Sequence, residues 1–386
     1  MTTITLPGTT TDEAVARKPT KDLPLTTLAL LVTLATSLVV TSIDDGGSSA
    51  EVLGLDDVTK AVGADIAWAS GTTGAGVRVA LLDSGIAAVG PLAGRVEGGG
   101  ADAVGHGTHL AGIVAALAPE ATLVDVNVAD DEGEPSIARF LDGLRGLAEG
   151  TISADVVVVA AELAATPAER QDYVELVREL AAAGTVVVAA AGNRSTAGTG
   201  LDWTATPPEV IAVGGAELRG DWGIPAWSAT GTVRRLPDLV APGTSVVSVL
   251  APGSTAETDP VAVRVGDDQI RGSGTSQAAA VVGGAVALLV DADPSITAAG
   301  VRSRLAASAR TLPDARPAEQ GAGLLDLRGL FATDQGASAI NSWTGNSWTG
   351  NSWTGNSWTG NSWTGNSWTG NSWTGNSWTG NSWTGN

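Results

Sequence analysis

Four short segments carry side chains whose types suit one reaction. Asp83 follows Val-Ala-Leu-Leu and precedes Ser-Gly. A carboxylate where an apolar strand ends is placed to orient a neighbouring group, although a turn or N-cap aspartate has the same local appearance. His106 lies in Gly-His-Gly-Thr-His-Leu-Ala-Gly, where a loop enters a helix. An imidazole there serves as a general base if a carboxylate holds its tautomer. Asn193 closes Val-Val-Val-Ala-Ala-Ala-Gly-Asn. Its amide can cap a turn or donate to a developing oxyanion. Ser276 lies in Gly-Ser-Gly-Thr-Ser-Gln-Ala-Ala-Ala, ahead of a long apolar run. A serine at a helix start is commonly an N-cap. It can also be a nucleophile, because the helix dipole favours an anion beside it. The chain has two histidines, so any imidazole chemistry falls to His106 or His109. His109 is one turn beyond His106, without the acidic residue or spacing of a zinc helix. It reads as a structural, hydrogen-bonded side chain, and no metal site is expected.

The elements needed to bring these segments together are legible in the pattern of apolar residues. Val77–Leu82, Leu123–Val128, Val156–Val159 and Thr185–Ala191 read as short buried strands. Between them, Leu110, Ile113, Val114 and Leu117 mark one helix face, and Ile137, Leu141 and Leu144 another. Thr166-Pro-Ala-Glu169 is a capping box with a first-turn proline, and Gly184 is the matching stop. Strand and helix therefore alternate. That predicts an α/β, doubly wound, mostly parallel sheet with helices on both faces. Active groups then collect beyond the carboxyl ends of the strands. After Leu201 the pattern turns to short strands and loops, followed by helices near Ser276–Val290 and Thr297–Ser308.

The order Asp, His, Ser along the chain, with these flanks, resembles the subtilase family. Val-Ala-Leu-Leu-Asp83-Ser-Gly-Ile is similar to its aspartate motif, and Gly-His106-Gly-Thr-His-Leu-Ala-Gly-Ile-Val-Ala to its histidine motif. Ala-Ala-Gly-Asn193 resembles its oxyanion segment, and Gly-Thr-Ser276 with the alanines behind it resembles its serine motif. The resemblance spans residues 53–332. It implies a serine endopeptidase that works without a cofactor on peptide or protein substrates. Asp83, His106 and Ser276 would form the triad. Asn193 and the Ser276 N–H would form the oxyanion hole. Three departures stand out. Gln277 replaces a usual methionine and Ala280 a usual proline. Ala160-Ala161-Glu162 occupies the expected substrate-binding strand, with Glu162 where glycine is usual. A carboxylate there selects basic side chains or obstructs substrate, unless the alignment shifts by a residue or two and Glu162 is simply solvated. The obstructed form leaves the alternative of a pseudoprotease that binds peptides and keeps the triad.

Composition sets limits on this reading. The chain has 386 residues, 43% of them hydrophobic, enough for a sizeable core. Its formal net charge of −20 argues against nucleic acid as a partner. It has no cysteine, which excludes disulfides and thiolate chemistry. Residues 1–22 are polar and read as disordered. Residues 23–43 are uncharged, with Arg17, Lys18 and Lys21 before them and Asp44 and Asp45 after. A retained signal anchor, a cleaved signal peptide and a buried helix all fit that run. The first two imply an extracytoplasmic chain, membrane-anchored or secreted. Residues 44–52 read as a linker, too short for a folded pro-domain, and 53–332 as the peptidase domain. Residues 333–340 form a second linker. Residues 341–386 are nine copies of Asn-Ser-Trp-Thr-Gly and a final Asn, a low-complexity repeat tail. Tryptophan looks too bulky for a narrow pentapeptide solenoid, so the expectation is a flexible tail offering aromatics to a partner or surface.

Overall fold

The computed structural model describes residues 52–130, 133–193, 200–219 and 221–331, with short strands between 343 and 384. The hydrophobic run at 23–43 lies outside the described residues. The helices of eight residues or more are α1 (Leu55–Val62), α2 (His106–Leu117), α3 (Ile137–Ala148), α4 (Pro167–Ala183), α5 (Thr275–Ala292) and α6 (Ala298–Ser308). The strands of the central sheet are β1 (Arg78–Asp83), β2 (Val96–Glu97), β3 (Thr122–Asn127), β4 (Val156–Val159), β5 (Val186–Ala190), β6 (Ile211–Arg219), β7 (Asp221–Gly223) and β8 (Leu239–Pro242). Their order is β2-β3-β1-β4-β5-β6-β7, with β8 also on β6. All of these pairings are parallel except β6 with β7.

The two-residue period of a strand explains the layers. Val79 and Leu81 of β1, with Val156 and Val158 of β4, pack into one core beside α2 and α5. Ala80 and Leu82, with Val157 and Val159, face a second core beside α3 and α4. A fully apolar strand is thus apolar because both of its faces are covered. The long apolar helix α5 is the centre of the first layer and is buried along most of its length. Gly283 and Gly284 let it press against Val158 and Leu117, where any side chain would collide. It is also the helix, among the described residues, that is long and apolar enough to cross a membrane, and here the sheet and α2 cover it.

The local signals behave as their chemistry predicts. Thr166 and Glu169 exchange reciprocal bonds at the start of α4 (2.7 Å and 3.3 Å), and Gly184 ends the helix with φ of 98°. α1 and the short helix Ala64–Ala69 were not expected from sequence; six to eight residues carry too little periodicity to read. In the repeat, Trp343 pairs antiparallel with Trp348, and three pairings are parallel between copies four apart: Trp353 with Trp373, Trp358 with Trp378 and Trp363 with Trp383.

Candidate active site

Strand order reverses between β1 and β4, which stay parallel: the chain leaves β1 for β3 on one side and returns to β4 on the other. The crevice beyond such a switch point is where a doubly wound sheet binds ligands. Asp83 is the last residue of β1 and His106 the first of α2. Their side chains meet: His106 Nδ1 lies 2.7 Å from Asp83 Oδ1 and 2.9 Å from Oδ2. Both are buried. Gly107 makes this approach possible, since a Cβ there would run into the carbonyl of Gly85 and the side chain of Asp83. The Ser84 N–H also donates to Asp83 Oδ1, at 2.8 Å, and helps to hold the carboxylate.

Burial by itself would lower the pKa of His106. The Asp83 charge and hydrogen bond, with the Asp102 charge behind them, outweigh that effect and raise it. The bond through Nδ1 sets the tautomer and leaves Nε2 as the working nitrogen. That nitrogen is buried and has no hydrogen-bond partner among the described residues.

Ser276 is the second residue of α5 and is buried. Its hydroxyl donates to the carbonyl of Ala160 at 3.3 Å rather than to His106. Ala160 in turn lines an open cleft together with Asp83, His106, Ala161 and Glu162, closed on another side by Val128, Ala129, Gly133 and Pro135. Ala160 and Ala161 follow the end of β4, and their backbone groups make no backbone hydrogen bond among the described residues. An unpaired extended segment of this kind can take an added strand.

Asn193 is held by its oxygen. Oδ1 accepts the Thr275 N–H at 2.8 Å and the Thr275 hydroxyl at 3.0 Å. A backbone N–H must meet an oxygen, so Nδ2 is the end left to donate. It lies beside Gly274, whose missing side chain keeps that side open.

Sequence reasoning missed three residues that build this site. Thr275 ties Asn193 and the Gly192 N–H to the start of α5. Ser84 links Asp83 to the helix that carries His106. Asp102 sits at the centre of that link. A signal for it was present: an acidic residue four positions before His106, just ahead of a helix whose N-cap, Gly105, has no side chain.

One reading needs correction. His109 is buried as expected, but neither ring nitrogen has a hydrogen-bond partner among the described residues. Burial, with the charge of His106, pushes its pKa down to about 3, against a smaller opposing effect of Asp83. The ring packs beside Gly272 and Gln277, and Gln277 is equally buried with both amide atoms unpartnered. The departure at this position of the serine motif thus places a second buried polar side chain beside His109. Among the described residues no three His, Cys, Asp or Glu side chains group closely enough to hold a metal ion.

The subtilase family pattern matches residues 74–323. Serine protease AprX of Bacillus subtilis (strain 168) is 30% identical over 292 residues, which is 66% of this chain and 66% of that protein. The membrane-bound transcription factor site-1 protease of Rattus norvegicus is 31% identical over 294 residues, 70% of this chain and 26% of that one. Subtilisin E of Bacillus subtilis (strain 168) is 32% identical over 263 residues, 63% of this chain and 62% of that one. The chain thus spans less than two thirds of the length of these relatives, and about a quarter of the site-1 protease. Among solved structures, fervidolysin from Fervidobacterium pennivorans, a keratinolytic enzyme related to subtilisin, shares the fold. Its TM-score is 0.59 at 22% identity, over 72% of this chain and 45% of that one.

Proposed function

The chain belongs to the subtilase family, and from that premise we propose that it is a serine endopeptidase. Ser276 is its nucleophile, His106 its general base, Asp83 the orienting carboxylate and Asn193 an oxyanion donor. The observation that carries this reading is the His106–Asp83 pair. One imidazole is bonded to a buried carboxylate at 2.7 Å and its other nitrogen is unpartnered, while the Ser276 hydroxyl bonds the carbonyl of Ala160, which lines the same cleft as His106.

The chemistry follows from these positions. Ser276 Oγ leaves the Ala160 carbonyl and turns to His106 Nε2, a tightening common when substrate arrives. It attacks the peptide carbonyl while His106 takes its proton. The same proton then passes to the leaving amine, and water, activated by His106, cleaves the acyl-enzyme. The Asn193 amide and the Ser276 N–H, at the start of α5, hold the oxyanion. Substrate pairs as a strand with 160–162, and Glu162 on that wall favours basic side chains over acidic ones. The uncharged run at 23–43, with basic residues before it, supports a location outside the cytoplasm, anchored or secreted.

A fluorophosphonate probe tests the reading. Folded wild-type protein should be labelled, and Ser276→Ala should not. A folded wild type that resists the probe would point instead to a peptide-binding pseudoprotease.

A further inference from the structure

We propose that Asp102 is a positioning residue for the hydrolytic site, tying the loop that carries Asp83 to the first turn of the helix that carries His106. The proposal rests on the protease reading above.

Asp102 is 3% exposed. Its carboxylate accepts five hydrogen bonds. Oδ1 takes the Ser84 hydroxyl at 2.9 Å, the Val104 N–H at 3.1 Å and the Gly105 N–H at 2.7 Å. Oδ2 takes the Thr108 N–H at 2.8 Å and its hydroxyl at 2.7 Å. No Lys or Arg pairs with it among the described residues. A buried carboxylate without a counter-ion persists only where donors surround it.

The partners fall on two segments that must stay in register. Val104, Gly105 and Thr108 belong to the entry and first turn of α2. Ser84 follows Asp83 directly, and its oxygen also accepts the Gly107 N–H at 3.0 Å. Thr108 carries the tie further: its hydroxyl oxygen accepts the Ala87 N–H at 2.9 Å. Asp102 therefore grips both sides of the junction across which His106 faces Asp83.

It also does what the N-cap cannot. Gly105, with φ of 97°, is a glycine for conformational reasons and offers no capping side chain. The first N–H groups of α2 would otherwise be orphans, and their partial positive charge would lie against His106. Asp102 takes the Thr108 N–H and Ser84 the Gly107 N–H, and the carboxylate opposes that charge, which makes the imidazole a better base. The raised pKa of His106 includes a contribution from Asp102, smaller than those of burial and Asp83. The other ionisable groups around the pair are His109 on the same helix, Asp125 on β3 and Glu162 across the cleft.

The experiment compares wild type with Asp102→Asn on a chromogenic peptide and with the fluorophosphonate, across pH. The amide must turn an N–H against one of the backbone donors, since both oxygens face one. We expect kcat to fall about 10- to 100-fold with KM within about twofold, because misplacement by an ångström can cost about that much. The acid limb of kcat/KM should move to lower pH, and Asp102→Glu should recover part of the loss. A kcat and acid limb equal to those of wild type would overturn the proposal. So would a loss that only follows the fraction of unfolded protein. Ser84→Ala breaks the tie and frees only the Gly107 N–H, leaving the Asp102 bonds to Val104, Gly105 and Thr108 in place, so it decides the matter if Asp102→Asn fails to fold. It should lower kcat in the same sense, and wild-type kcat in that variant would refute the tie. Failure of the wild type itself to take the probe would be failure of the protease reading, a separate result.

Discussion

The two sides of the first turn of α2 hold the same side chain in opposite states. On the cleft side, His106 is buried against a carboxylate at 2.7 Å, and its pKa is raised. On the core side, His109 is buried beside Gly272 and Gln277 without a hydrogen bond, and its pKa is pushed down to about 3. Burial alone always disfavours the charged imidazole. The difference lies in whether an anion answers it. One ring can therefore accept a proton near neutral pH, while the other stays neutral and acts as a packing element.

The largest test of that contrast is deletion. Ser276→Ala or His106→Ala should lower kcat by about a million-fold, the loss found for the corresponding residues of subtilisin, a relative. His109→Leu should keep most of the activity, as measured by peptide hydrolysis. A collapse of turnover in folded His109→Leu would erase the distinction. Next in size is Asn193→Ala, for which the subtilisin precedent is about 100- to 1,000-fold in kcat with little change in KM. The pH profile then sharpens the comparison. His106 must lose its proton to act as a base, so kcat/KM should rise with pH through an apparent pKa above the ordinary 6.5. A limb centred well below that value would mean Asp83 does not support the imidazole.

Smaller effects concern stability on the core side. The folded chain holds His109 neutral down to about pH 3, whereas the unfolded chain protonates it near 6.5. Between those values the unfolded state binds the extra proton, so stability falls as pH falls, by about 1.4 kcal/mol per unit at most. Asp125 works the other way. Burial raises its pKa to about 7, so the folded state binds the extra proton and loses that stabilisation as pH rises toward 7. The measurement is therefore a difference: denaturant unfolding of wild type and His109→Leu between pH 3 and 7. Equal pH slopes would contradict the assignment. Gln277→Met should stabilise the fold by about 1–3 kcal/mol, because it removes two unpartnered amide atoms from a buried site. It should also introduce peroxide sensitivity beside Ser276. Unchanged unfolding midpoints would show that the amide has found partners.

Much of the architecture could be read before any coordinates. Short apolar runs located the strands and helical spacings the helices around the site, and Thr166, Glu169 and Gly184 marked both ends of α4. Those signals are local, and a local signal survives in a bare sequence. α1 and Ala64–Ala69 were too short to show a period. The links through Ser84, Asp102 and Thr108 escaped because each looks like an ordinary turn or helix-start residue.

Sequence alone determined that this chain builds a two-sided parallel sheet and that Asp83, His106, Asn193 and Ser276 stand at element ends. Residue type and apolar spacing are enough for that. Only the tertiary structure decided which histidine meets a carboxylate, where the Ser276 hydroxyl now points and how Asp102 binds two loops together. Those outcomes depend on contacts between segments far apart in the chain, where an ångström of approach or one missing Cβ decides whether a buried group is answered or left alone.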